Sequence, residues 1–195
     1  MNDNLFISPH NDDAGLFGAF TIQQHKPLVL TVFDSYVQVK RGHADCSLDV
    51  RRDEDRDAVT ILGAEIQFLG LDDSAPVDGE LVTRLEKALI SYRDDHKFVN
   101  VWIPALEPNG HDQHNLVAQV ARRVFLDHGV AVWEYFTYTR TNGKSKYGEP
   151  VKMDGKSVAT KLKAMLCYKT QIEIDALGCW PHFARGLEEY VRRVQ

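Results

Sequence analysis

Ser8-Pro9-His10-Asn11-Asp12-Asp13 places one imidazole and two adjacent carboxylates at the end of the apolar run Leu5-Phe6-Ile7. His111-Asp112-Gln113-His114 follows a second apolar run about a hundred residues later. An imidazole and a carboxylate three residues apart, at the start of a helix, can aim at one point. The helix N-terminus favours a carboxylate there. His10, Asp13 and His114 then form a two-histidine, one-carboxylate set with an open position, the donor set of a catalytic zinc. Iron is accepted by the same set. Asp12, beside Asp13 but aimed elsewhere, is left to serve as a base. Read singly, each cluster has a plainer account: Asp12 as a helix N-cap, His111 and His114 as a surface pair. Their joint placement, each directly after an apolar strand, points to a single-metal hydrolase.

The elements that must position these groups alternate along the chain. Residues 5–8 read as a strand and 13–25 as a helix. The β-branched run LVLTVF at 28–33 reads as a parallel strand covered on both faces. Residues 50–64 form an amphipathic helix with Ala58, Ile61 and Leu62 inward, and 66–69 a short strand. Residues 80–92 form a helix with Leu81, Leu85 and Leu89 four apart. Residues 98–103 read as a strand and 112–127 as a helix closed by Gly129. Residues 130–138 read as a strand, and 157–172 and 185–194 as helices. This rhythm predicts a single α/β domain over 1–195: a three-layer α/β/α sandwich, Rossmann-like, with a mainly parallel sheet. The polar stretches 34–49 and 140–156 are long for connections. In such folds they lie above the carboxyl ends of the strands, where ligands bind. His43 lies in the first of them and is a candidate for the border of the site.

Composition narrows the function. The net charge of −5 argues against a nucleic-acid partner. No apolar run approaches a membrane span. The start of the chain lacks a basic and apolar leader, and Cys46, Cys167 and Cys179 show no CxxC spacing. These features suit a reducing, cytoplasmic setting. A nucleotide-binding reading lacks GxGxxG after the first strand; Gly15 and Gly18 fall inside the first helix and serve close packing. The expected partner is a small molecule, with self-association to form a homo-oligomer left open.

With these residues in place, the sequence resembles the PIG-L/LmbE-like family of zinc-dependent N-acetylglucosamine deacetylases. Its first motif, in the form SPHxDD, is similar to residues 8–13, and its HPDH motif keeps both histidines at His111 and His114. Arg51, Glu54, Ala58, Leu62 and Gly63 match its RxxExxxAxxxLG helix, and residues 68–73 resemble the strand and loop that follow. Lys161, Ala164, Tyr168 and Gln171 resemble its KxxAxxxYxSQ helix. The resemblance implies one zinc, or iron, on His10, Asp13 and His114, with Asp12 as general base. It further implies His111 as oxyanion donor or acid, and Arg51 in contact with the substrate. The implied reaction removes the acetyl group from an N-acetylglucosamine-type sugar or glycoconjugate of unspecified aglycone. The alternative is a non-catalytic member that binds sugar or metal. Four positions depart from the motifs: Asn11 and Asp112 replace prolines, Ala14 a glutamate, and Gln113 an aspartate. Gln113 cannot stabilise a neighbouring imidazolium by charge. His111 is therefore expected to act as a neutral donor, or the active pH range to shift downward.

Overall fold

The computed structural model describes residues 2–34, 47–108, 110–137, 148–175 and 188–194. Five parallel strands form the frame: β1 (Asn4–His10), β2 (Leu28–Phe33), β3 (Glu65–Leu71), β4 (Asn100–Pro104) and β5 (Ala131–Tyr135). Two more, β6 (Glu149–Pro150) and β7 (Tyr190–Arg193), join antiparallel, giving the order β3-β2-β1-β4-β5-β7-β6. Every residue of β2 is buried, as its uninterrupted apolar sequence requires of a strand covered on both faces.

Helices cover both faces. On one lie α4 (Gly79–Asp95) and α5 (Asp112–Phe125), whose Leu81, Leu85, Leu89, Leu116, Val120 and Val124 pack on the sheet. On the other lie α1 (Asp13–Phe17), α2 (Ala19–His25), α3 (Leu48–Leu62) and α6 (Gly155–Met165), around Phe6, Trp102 and Tyr135. A short α7 (Lys169–Asp175) follows α6. Asp78 starts α4 by accepting from the amides of Glu80 and Leu81. Among the described residues, no helix is long and apolar enough to cross a membrane.

Three elements differ from their sequence reading. The helix expected over 13–25 breaks at Gly18, whose missing side chain admits Phe6: a Cβ there would meet Phe6 Cζ at 2.2 Å. The break is held by a buried ion pair. Lys161 Nζ bonds Leu16 O at 2.9 Å and Glu189 Oε1 at 2.7 Å. Glu189 in turn accepts from the amides of Phe20 and Thr21, which open α2. The helix expected over 157–172 divides into α6 and α7. The helix expected over 185–194 is instead strand β7 at 190–193, in which Arg192 reaches the buried carboxylate of Glu134 on β5. Partnership with β5 and β6 overrides a helical pattern in which Leu187, Tyr190, Val191 and Val194 recur at i, i+3, i+4 and i+7.

Candidate active site

β1 and β4 are neighbours, yet the chain leaves β1 toward β2 and leaves β4 toward β5. Loops therefore diverge at their carboxyl ends and open a crevice, the usual ligand position in an open α/β sheet. His10 ends β1 and Asp13 begins α1, while His111 is the N-cap of α5 and His114 lies in its first turn. Two strand-to-helix turns thus deliver the two clusters to one place.

The groups meet closely. His10 Nδ1 lies 3.1 Å from His114 Nε2, and Asp13 Oδ2 lies 3.1 Å from His114 Nε2 and 3.4 Å from His10 Nδ1. Metal bonds of 2.0–2.2 Å at tetrahedral angles separate donors by roughly 3.3–3.5 Å, close to this triangle. Three electron-rich atoms so near one another require positive charge among them, as a proton or as a cation. The ring nitrogens of His10, His111 and His114 also lie within 4.8 Å of one another. Asp13 and His114 are each 2% exposed, so the donors are held on the protein side of the crevice. Asp13 Oδ2 also accepts from the amide of His10 at 2.8 Å, which fixes its orientation.

Asp12 sits at the strained junction, with φ 145°, a backbone region that side-chain-bearing residues rarely adopt. Its side chain makes no cap hydrogen bond, so the N-cap account does not describe it. Arg51 on α3 holds this turn: its Nη2 donates to Asn11 O at 2.5 Å and lies 3.8 Å from Asp12 Oδ2. Glu54, the surface partner a lone i, i+3 spacing would give Arg51, bonds Thr170 instead.

The electrostatics separate the two carboxylates. Burial, then the charge of Asp13, pushes the Asp12 carboxyl up to about 7, against the pull of Arg51 and His10. Burial opposes the charge of Asp13 too, but His114 and His10 outweigh it and hold Asp13 well below the usual carboxylate range. Burial would lower His10, yet hydrogen bonds and charge from Asp13 and Asp73 raise it to about 10. Burial and the two neighbouring histidines lower His111.

The sequence matches the GlcNAc-PI de-N-acetylase (PIG-L) family over residues 5–125. The chain belongs to that family. No curated protein matches it. Among solved structures, this PIG-L member is similar to a deacetylase of the teicoplanin biosynthetic pathway, with 20% identity, TM-score 0.78 and 98% of each chain covered. It is also similar to the N,N'-diacetylchitobiose deacetylase of Pyrococcus horikoshii: 19% identity, TM-score 0.73, covering 99% of this chain and 84% of that one. The 4-carboxy-2-hydroxymuconate hydratase of Pseudomonas putida has the same fold, with 17% identity, TM-score 0.70, and 100% and 97% covered.

Within this PIG-L fold, His10, Asp12, Asp13, His111, His114 and Arg51 come together. His43 lies outside the described residues, as do Tyr36, Lys40 and Arg41. Arg51 touches the Asp12 turn, and its buried Nε has no partner among the described residues.

Three residues take parts here that sequence reasoning did not give them. Asp73, in the loop after β3, brings Oδ1 to 3.3 Å from His10 Nε2; its only signal was membership of the family-like run at 68–73. Gln113, expected beside His111, sends its side chain to His10 instead, with Oε1 2.6 Å from Nε2. Only its main-chain amide meets His111, donating to Nδ1 at 3.3 Å. Asp55, fully buried on α3, accepts from Thr31 and from Tyr168, each at 2.9 Å. Burial pushes its carboxyl up to about 7. Tyr168, of the run that resembled the KxxAxxxYxSQ helix, is buried in that bond with its ring against Gly15.

Proposed function

We propose that this chain is a metal-dependent N-deacetylase. It hydrolyses the acetamide of an N-acetylglucosamine-type sugar, with a divalent ion, zinc or iron, on His10 Nδ1, Asp13 Oδ2 and His114 Nε2. The observation that carries this reading is the triangle of those three atoms, with edges of 3.1–3.4 Å. The ion would polarise the acetamide carbonyl and acidify a water.

The chain's own residues supply the remaining steps. Asp12 takes the proton of the attacking water. A carboxyl near 7 is suited to receive and return a proton at neutral pH, and Arg51 holds its turn in place. Asp13, bound up by three partners and strongly acidic, is not available for that role. His111 accepts at Nδ1 from the Gln113 amide, so its neutral ring carries hydrogen on Nε2. It therefore serves as a neutral donor to the developing oxyanion rather than as an acid, a contribution of a few kcal/mol where the geometry is good. Asp12 then returns its proton to the departing amine. Arg51, whose side chain is 24% exposed, is assigned to contact the substrate, with His43 assigned to the rim of the same crevice. Cysteines without CxxC pairing support a cytoplasmic setting.

The test is acetate release by zinc-loaded and iron-loaded protein from a panel drawn from the relatives: GlcNAc-PI, N,N'-diacetylchitobiose and an N-acetylated glycopeptide pseudoaglycone. Release that disappears in Asp12→Asn supports the reading. A protein that binds metal but hydrates an unsaturated carboxylate, and releases no acetate, would place it with the hydratase neighbour.

A further inference from the structure

Gln113 is buried, and both ends of its side-chain amide are engaged. Its Nε2 donates to the main-chain oxygen of Asp73 at 2.8 Å. A carbonyl can only accept, so that contact fixes which way round the amide sits. Oε1 therefore faces His10 Nε2, at 2.6 Å. Oε1 carries no hydrogen, so the hydrogen between them belongs to His10 Nε2. With an ion supplying the positive charge that a second proton supplies without it, the ring would be neutral, and a neutral imidazole carries only one N–H. Nδ1 is then left with its lone pair, and Nδ1 is the atom facing His114 and Asp13.

We infer that Gln113 is a positioning residue, which fixes His10 in the tautomer that offers Nδ1 to the metal. The inference rests on the metal-hydrolase reading above. Asp73 Oδ1, at 3.3 Å from the same nitrogen and more exposed, is the weaker second acceptor for that hydrogen.

The choice of an amide has a chemical consequence. A carboxylate accepting the same hydrogen would draw it closer and make the imidazole a stronger donor. Gln113 orients the ring without lending it charge. An ion there would be held less tightly and would keep more of its power to polarise a carbonyl. The motif's departure from aspartate thus acts on His10, a proposed ligand, and not on His111.

The experiment is a chelator-competition titration of the full chain with Zn²⁺ and with Co²⁺. It compares wild type, His114→Ala, Gln113→Leu, Gln113→Glu and Asp73→Asn. Gln113→Leu should bind each ion about 10–100-fold more weakly, Gln113→Glu at least as tightly as wild type, and Asp73→Asn only slightly more weakly. Recovery in the glutamate variant separates orientation of the ring from mere loss of packing. In the zinc-loaded wild type, long-range proton–nitrogen NMR should show the His10 hydrogen on Nε2. Leucine and wild-type proteins of equal affinity, or a hydrogen found on Nδ1, would overturn the inference. A wild type that binds neither ion would overturn the hydrolase reading itself.

Discussion

His10 Nδ1 and His114 Nε2 face each other at 3.1 Å across 104 residues of sequence, with Asp13 Oδ2 completing the contact. Such proximity of unlike segments, at the divergence of two strands, gives the site its first quantitative expectation. Elemental analysis should find a single divalent ion per chain in protein purified without chelator. His114→Ala or Asp13→Ala should lose it while the fold, read by circular dichroism, persists. Retention of full metal content by both variants would sink the proposed ligand set.

Asp12→Asn removes the base while leaving the three donors untouched. Turnover should fall about 10²- to 10⁴-fold, the usual worth of a positioned acid–base group, with metal content unchanged. Steady-state kinetics on whichever substrate of the panel is cleaved, beside metal analysis of the same sample, checks both halves. Undiminished kcat would remove Asp12 from the mechanism.

Lys161 and Glu189 pair at 2.7 Å with no exposure of either side chain. Breaking a buried pair leaves an uncompensated charge, at a cost of about 3–5 kcal/mol. Lys161→Met should lose stability on that order in urea titrations, because Glu189 then keeps its charge with only amides of α2 to meet it. A loss below about 1 kcal/mol, the worth of an exposed pair, would contradict the burial.

Asp55 gives a pH signature. Its carboxyl stands near 7 in the fold against 3.8 for the free group, because burial outweighs its bonds from Thr31 and Tyr168. Below about 4 both states are protonated and Asp55 costs nothing. Between about 4 and 7 the folded chain keeps a proton that the unfolded chain has released, so stability falls as pH rises. Above 7 the whole penalty is present. Asp55→Asn should therefore lose less stability than wild type between pH 5 and pH 8, measured by denaturant midpoints. Equal losses in the two proteins would show that Asp55 ionises normally.

Particular residues show what the sequence could and could not reveal. The runs around Leu5–Ile7 and 28–33 are apolar enough to demand a covered parallel sheet, and helix N-termini directly after strands place His10, Asp13 and His114 with few alternatives. Spacing within one turn was sufficient for His10 and Asp13, while the parallel α/β rhythm carried His114 to the same end of the sheet. Asp73 and Asp55 come to their partners through the packing of separate segments, for which no local periodicity exists. Gln113 lies in the right motif, but a side chain on a helix turn can reach either of two imidazoles, and only the position of Asp73 O selects one. β7 was misread for a related reason: Tyr190 and Arg192 gain their partners from β6 and β5, and a strand of four residues is too short to show a period of its own.

Glu189 accepts from the amides of Phe20 and Thr21, 169 and 168 residues before it. The helix pair that follows the Asp12–Asp13 turn is thus seated by a carboxylate that arrives just before β7. Contacts so distant in sequence form only after long loops have closed, so this corner of the crevice should be completed late in folding. A Glu189→Ala chain would retain the proposed ligand residues and lack the group that accepts from the first amides of α2. Order at the proposed metal corner is thereby tied to a long-range contact, and a chain that has not made that contact would be poor at capturing the ion.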